Sequence, residues 1–405
     1  MLSYQEARRA IARELGLLAL PSSLRREVIP LGESLGRILA EEIRADRPYP
    51  PFDRSIRDGF AVRAADVAPG AKLKCIGELK AGDTPHDLVT PGTCVQIMTG
   101  AAVPQGADAV VMIEHTRADG DNVVFDRTIT LGQHIVKCGA EATNGHLFVN
   151  RGTRLGFAEI AAAAQVGAVE LQVYRKTRVA VLSTGDEVVP AETTPGDFQI
   201  RNSNAYSLAA QISLTGGDPL VLPNAKDTET DLREKIMYGL NQDMLILSGG
   251  VSAGKYDLVE KVLHDLGVEF FFDAVAIRPG KPTVFGVCQG KPVFGLPGNP
   301  VSTMVTFELF ASLALQMLAG QEPSPLPFLE ARLGEALSEK AGLAHFLPAK
   351  LAWPNSSPTV VPIRWQGSGD LASVTKCNCF LYVPADRSRF ECGETVSVLP
   401  RRDLL

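Results

Sequence analysis

Between about residue 176 and residue 318 one texture repeats: a short apolar run, a loop of glycine and small polar residues, then a helix-forming segment. "RVAVLSTGDEV" is a strand running into a polar loop, and "NSNAYSLAAQISLTGG" is a capped helix closed by Gly216 and Gly217. "MLILSGG" is a second strand and "YDLVEKVLHDLG" a second helix. "PVFGLPGNPVSTMVTFELFASLALQML" supplies a strand, a turn and a long helix. Such alternation predicts a doubly wound, mostly parallel sheet covered on both faces. Ligands in such sheets bind beyond the carboxyl ends of the strands, so "STGDE", "SGGVSAGKYD" and "LPGNP" are expected along one edge.

The flanks read differently. From about 28 to 175 the chain is short strands broken by "DRPYPPFD", "VAPGA", "TPGT" and "VPQGAD". "AVVMIEHTRADGDNVVF" reads as a hairpin turning at Asp119-Gly120-Asp121. After the Pro-rich "AGQEPSPLP" strands return as far as Leu399, a third β module of about 80 residues. The fold class expected is therefore multidomain α/β plus β, with a central doubly wound α/β domain flanked by small β-rich domains and a C-terminal β domain. A chain of 405 residues accommodates two to four such units.

The N-terminal "MLSYQEARRAIARELG" is punctuated by charge and is no signal peptide. Ser3 and Glu6 form a capping box, and Ala7, Ile11 and Leu15 share a helical face. No window was found approaching the ~20 apolar residues that span a bilayer, so a soluble protein without a membrane partner is expected. A net charge of −6 argues against nucleic acid as the main partner. Seven cysteines without paired CxxC spacing fit a reducing cytoplasm. Cys377 and Cys379, two apart, are expected on one strand face as ordinary packing.

The loops carry the chemistry. "GGVSAGKY" nearly satisfies the phosphate-loop pattern through Gly249, Gly254 and Lys255, but Tyr256 replaces the Mg²⁺-binding hydroxyl. Glycine-exposed amides there still make an anion nest, and Asp257 would hold a metal or anchor the loop. Arg278 and Lys281, across Pro279-Gly280, can converge on one oxyanion. Asn299 is read as an N-cap and Pro300 as the first helical residue, which directs a helix's positive pole at the cleft. Asp186 and Glu187 follow another strand, and adjacent carboxylates suit Mg²⁺. A tight turn or solvated charge explains any one loop; four on one edge favour convergent anion chemistry. The six histidines are scattered and assemble no Ser-His-Asp or Cys-His set.

The ordered set "PFDRSIRDGFAV", "IMTGAAVPQGADAVVMIE", "LSTGDEVV", "IRNSN", "LSGGVSAGKYD", "IRPGKP", "GLPGNPVS" and "QGSGDLAS" closely resembles the molybdopterin molybdenumtransferase family, known as MoeA and as the E domain of gephyrin. The resemblance runs from about residue 3 to 400. It implies an elongated homodimer of four-domain subunits. These are residues 1–48 with 142–175, an inserted β-rich unit at 49–141, an α/β molybdopterin-binding domain at 176–324 and a barrel-like domain at 325–405. It also implies insertion of molybdate into adenylated molybdopterin, with Mg²⁺ and release of AMP. The implied partners are a molybdopterin adenylyltransferase as substrate donor and molybdoenzyme maturation factors.

Residue by residue, the resemblance assigns catalysis to Asp58, Thr99, Glu187 and Asp257, with Asp58 and Thr99 facing the α/β domain of the other subunit. Metal binding falls to Asp186, Asp227 and Asp257. Pterin, nucleotide and oxyanion binding fall to Ser183, Thr184, Gly185, Ser248, Gly249, Gly250, Lys255, Arg278, Lys281, Pro297, Asn299, Ser302 and Ser368, with Ser373 nearby. The chain departs from the family pattern at Arg54 and Arg57, where Asn and Met are usual. It departs again at Val136 and Leu343, where basic residues are expected, and at Glu141, where Asp is. Those departures leave two alternatives open: a paralogue inserting tungstate, or a non-catalytic molybdopterin-binding scaffold.

Overall fold

The computed structural model describes residues 1–18, 26–250, 258–354 and 357–404. Lys255 and Asp257, both expected in the site, lie outside the described residues.

The first helix, α1 (Tyr4–Leu17), starts at the expected capping box: Ser3 Oγ accepts from the Glu6 amide, and the Glu6 carboxylate accepts from the Ser3 amide at 2.8 Å. Ala7, Ile11 and Leu15 are buried on one face. That face does not pack on the neighbouring N-terminal strands. It joins the core of the central sheet.

The central domain alternates as its sequence predicts. Its elements are β1 (Arg178–Ser183), α2 (Asn204–Thr215), β2 (Asp218–Val221), α3 (Glu229–Gly239), β3 (Met244–Ser248), α4 (Leu258–Asp265), β4 (Glu269–Phe272), β5 (Val284–Cys288), β6 (Lys291–Leu296) and α5 (Pro300–Leu318). The strand order is β2-β1-β3-β6-β5-β4. The first four strands run parallel, and β5 and β4 are added antiparallel. Alternate residues feed two cores. Val179, Val181, Met244 and Ile246 meet α2, α5 and α1, whereas Ala180, Leu182, Leu245 and Leu247 meet α3 and α4. The chain leaves β1 for one side of the sheet and returns to the other. The crevice of a doubly wound sheet therefore opens at the carboxyl ends of β1 and β3, where Ser183 and Ser248 are register partners.

Helix α5 is the one helix among the described residues long and apolar enough to cross a bilayer, which corrects the expectation that no window approached that length. The 18-residue stretch that meets the test is 83% buried inside the protein. Its middle, Phe307–Ala311, is a π turn, and Arg8 of α1 donates to the Leu309 carbonyl within it at 2.6 Å.

Flanking strands pair across the chain: Arg26–Pro30 with Glu170–Tyr174, and Ile43–Arg44 with Leu147–Val149. Between those pairs sits a six-stranded sheet that includes Gly59–Val62 and Thr93–Ile97. Its hairpin Thr116–Asp119 to Asn122–Phe125 turns through Gly120 and Asp121. In the C-terminal region Ala344–Ala352, Thr359–Pro362, Leu329–Leu333, Thr395–Pro400 and Cys379–Val383 pair successively, and the last pairs back to the first, which closes a barrel. Ile277–Arg278 of the central domain adds to that barrel beside Ala344 and His345. Cys379 packs inside the barrel and Cys377 in the central core, so the two thiols do not share a face as expected.

Candidate functional site

Beyond the carboxyl ends of β1 and β3 lies a cavity of about 710 Å³. Ser183, Thr184, Gly185, Glu187, Asp227, Ser248, Gly249, Gly250, Pro297 and Asn299 line it, all expected from the sequence. Gly250 has a positive φ of 65°, and a Cβ there would stand 2.6 Å from Val259 and 2.7 Å from Thr184 Oγ1. The loop thus holds bare backbone against the Thr184 hydroxyl, which only glycine permits.

Behind this wall is an amide network that the sequence reading missed. Ser183 Oγ donates to Asn202 Oδ1 at 3.1 Å, and Asn202 Nδ2 donates to Asn224 Oδ1 at 2.7 Å. Asn204 Nδ2 donates to Ser248 Oγ at 2.9 Å and to the Gly298 carbonyl at 2.7 Å, which ties three loops together. The signal was present in "IRNSN", where two asparagines straddle a helix start. Asn202, not the N-cap Ser203, supplies the cap by accepting from the Ala205 amide at 3.0 Å. Two buried oxygens of this wall, Thr184 Oγ1 and Asn204 Oδ1, have no hydrogen-bond partner. Buried polar atoms are normally satisfied, so both mark places for a ligand's donors.

At the rim the Asp227 amide donates to Asp186 Oδ1 at 3.2 Å, and Glu187 follows directly. Burial, with the Asp186 and Glu187 charges close by, raises the Asp227 carboxyl above the usual range. No group of three metal-ligating side chains is assembled among the described residues.

A second cavity of about 470 Å³ adjoins the first and shares Pro282, Pro297, Asn299 and Gly369 with it. Arg278, Lys281, Ser302, Ser368, Leu343 and Trp365 line it. Arg278 and Lys281 are exposed and engage no carboxylate among the described residues. Their turn is fixed by Gly280, whose φ is 103° and where a Cβ would stand 2.3 Å from Thr306. Asn299 occupies the N-cap position of α5 without capping it. Its Nδ2 donates instead to Ser368 Oγ at 2.9 Å, and the Val301 amide donates to the Ser368 carbonyl. The C-terminal region is thereby stitched to the start of α5. Ser373 lines neither cavity; its hydroxyl is spent on Asp370 and the Arg364 carbonyl.

Asp58 and Thr99 lie elsewhere, in turns beside the strands Gly59–Val62 and Thr93–Ile97 of the six-stranded sheet, and line neither cavity of their own chain. Three departures from the family pattern meet in the same region. Arg54 is the register partner of Val136, and its guanidinium bonds Glu141 at 2.6 Å. The cation expected at 136 thus stands across the ladder at 54. Leu343 has no such substitute: it lines the second cavity as an apolar wall.

This is the arrangement of a molybdopterin-binding α/β domain set between β-rich flanks. Family models match along the whole chain. The MoeA N-terminal region (domain I and II) covers residues 2–167, a probable molybdopterin binding domain 180–317, and the MoeA C-terminal region (domain IV) 330–400. A molybdopterin molybdenumtransferase of Bacillus subtilis is 34% identical over 387 residues, 93% of this chain and 90% of that one. One from a Nostoc species is 32% identical over 390 residues, 92% of this chain and 88% of that one. A molybdopterin biosynthesis MoeA protein from Pyrococcus horikoshii superposes with a TM-score of 0.74 at 34% identity, covering 95% of this chain and 98% of that one. The chain belongs to the molybdopterin molybdenumtransferase family.

Proposed function

We propose that this protein is a molybdenumtransferase of molybdenum cofactor biosynthesis that inserts molybdate into adenylated molybdopterin and releases AMP. One observation carries the reading: an amide-rich cavity with carboxylates at its rim adjoins a smaller one lined by two cations that pair with no carboxylate among the described residues, with Pro297 and Asn299 common to both. A nucleotide-capped pterin and an oxyanion need two such compartments side by side.

In this reading the amide of Gly250 and the positive N-terminal pole of α5 attract phosphate oxygens, and Thr184 and Asn204 accept from the pterin or the base. Arg278 and Lys281 hold molybdate, with Ser302 and Ser368 as hydroxyl partners. Asp186 and Asp227, with Glu187 beside them, would hold Mg²⁺, and the resemblance to the family adds Asp257 to them. The raised Asp227 carboxyl and the all-oxygen donor set fit a hard dication. Such an ion, when bound, neutralises charge on the phosphates between pterin and nucleotide.

Because Asp58 and Thr99 line neither cavity of their own chain, a homodimer in which they serve the partner's cavity is part of the proposal. A cytoplasmic setting accords with seven free cysteines, and an adenylyltransferase is the substrate donor the chemistry requires. The test is AMP release from adenylated molybdopterin with Mg²⁺, with molybdate or tungstate added. Release that depends on the oxyanion is expected, and the preferred oxyanion separates the molybdate from the tungstate reading. Tight pterin binding with no AMP under any condition overturns catalysis and leaves a scaffold.

A further inference from the structure

His345 belongs to none of the loops discussed above, yet it stands directly behind the oxyanion cavity. It is the register partner of Arg278 and lies two residues after Leu343, on the strand that begins at Ala344. The residue is 1% exposed. Its Nδ1 lies 3.0 Å from Glu339 Oε2, yet it makes no hydrogen bond, so the contact is off the line of an N–H donor. Glu339, His345 and Arg278 thus form a row of acid, imidazole and guanidinium that ends at the cavity.

We propose that His345, steadied by Glu339, is a positioning residue for the oxyanion bound at Arg278, and that it takes up a proton as that anion binds. The proposal rests on the reading of the second cavity as the oxyanion compartment.

The argument is electrostatic. Burial keeps His345 neutral and holds its ring below the usual imidazole range; Glu339 opposes that effect and Arg278 adds to it. An oxyanion at Arg278 cancels the guanidinium charge, which leaves Glu339 as the dominant neighbour and favours the imidazolium. The new cation then attracts the anion in turn, in a cavity where Leu343 contributes no charge. The linkage has one sign: the anion-bound protein holds more protons, so affinity rises as pH falls.

Among the described residues, Arg278 and Lys281 are the ionisable side chains that line the cavity. The barrel strand Cys379–Val383 presents uncharged Val383 opposite His345.

The test uses full-length protein and molybdate alone, which keeps its charge from about pH 6 to about pH 8. Isothermal titration calorimetry in buffers of different ionisation enthalpy counts protons taken up on binding. Wild-type protein is expected to take up a fraction of one proton and to bind about fivefold or more tightly at the lower pH. His345→Gln is expected to bind with little pH dependence and no uptake. Glu339→Gln, at a half-exposed position less prone to disturb folding, moves the uptake to lower pH. Unchanged uptake in both variants overturns the role of His345. Molybdate binding that is indifferent to Arg278→Ala overturns the reading of the cavity itself.

Discussion

One carboxylate oxygen of Asp58 accepts from both donors of Thr99: the backbone amide at 2.6 Å and the hydroxyl at 2.8 Å. The pair holds Asp58 as an anion, with its carboxyl below the usual range, amide first and hydroxyl second. Yet both residues are exposed and line no cavity of their own chain. Its bonds join two turns of the sheet, and in the proposed homodimer a second copy would cover it.

Subunit complementation tests that role. Asp58→Ala and Lys281→Ala proteins are each expected to be inactive and folded. Co-expressed at equal levels they pair at random, half of the dimers are mixed and each mixed dimer has one intact site of two, so about a quarter of wild-type activity should return. No recovery from verified mixed dimers contradicts a site shared between subunits.

Gly280 should be intolerant of a side chain. Its φ of 103° and the 2.3 Å approach to Thr306 mean that Gly280→Ala must shift the turn carrying Arg278 and Lys281. A loss of about 2 kcal/mol in chemical unfolding is expected, together with weakened molybdate binding. Wild-type stability and affinity in this variant would count against the turn as a rigid cation mount.

Asp227 should link Mg²⁺ to pH. A carboxyl whose folded pKa is raised is uncomfortable as an anion, so its cost is present above that pKa and relieved as pH falls through it. Mg²⁺ favours the anion, so the rise in melting temperature that Mg²⁺ produces should shrink as pH falls from about 7 to about 5. Asp227→Asn should melt slightly higher without metal and respond less to it. An equal Mg²⁺ response in that variant removes Asp227 from the metal site.

Much of this was legible in the chain because sheet edges have local signatures. Strand runs ending in "STG", "SGG" and "LPGNP" placed three loops on one crevice, since parallel strands put their carboxyl ends together. The wall of asparagines was not legible as a network: Asn202, Asn204 and Asn224 meet only because α2 and the loop after β2 return to β1 and β3. Asn299 looked like a cap by position, but a cap can be outcompeted, and Ser368 from 69 residues away takes its amide. The Arg54–Val136 exchange reads as two unrelated departures until the ladder sets them opposite each other. Arg54 then pairs with Glu141 and restores the local charge.

In the proposed reaction, metal insertion and nucleotide release occur in one compartmented site. The most direct measurement is the ratio of molybdenum acquired by the pterin to AMP released over a single turnover. A ratio near one, lost together in Arg278→Ala, is the predicted result. AMP release that continues at full rate without molybdate, or in Arg278→Ala protein, contradicts the account.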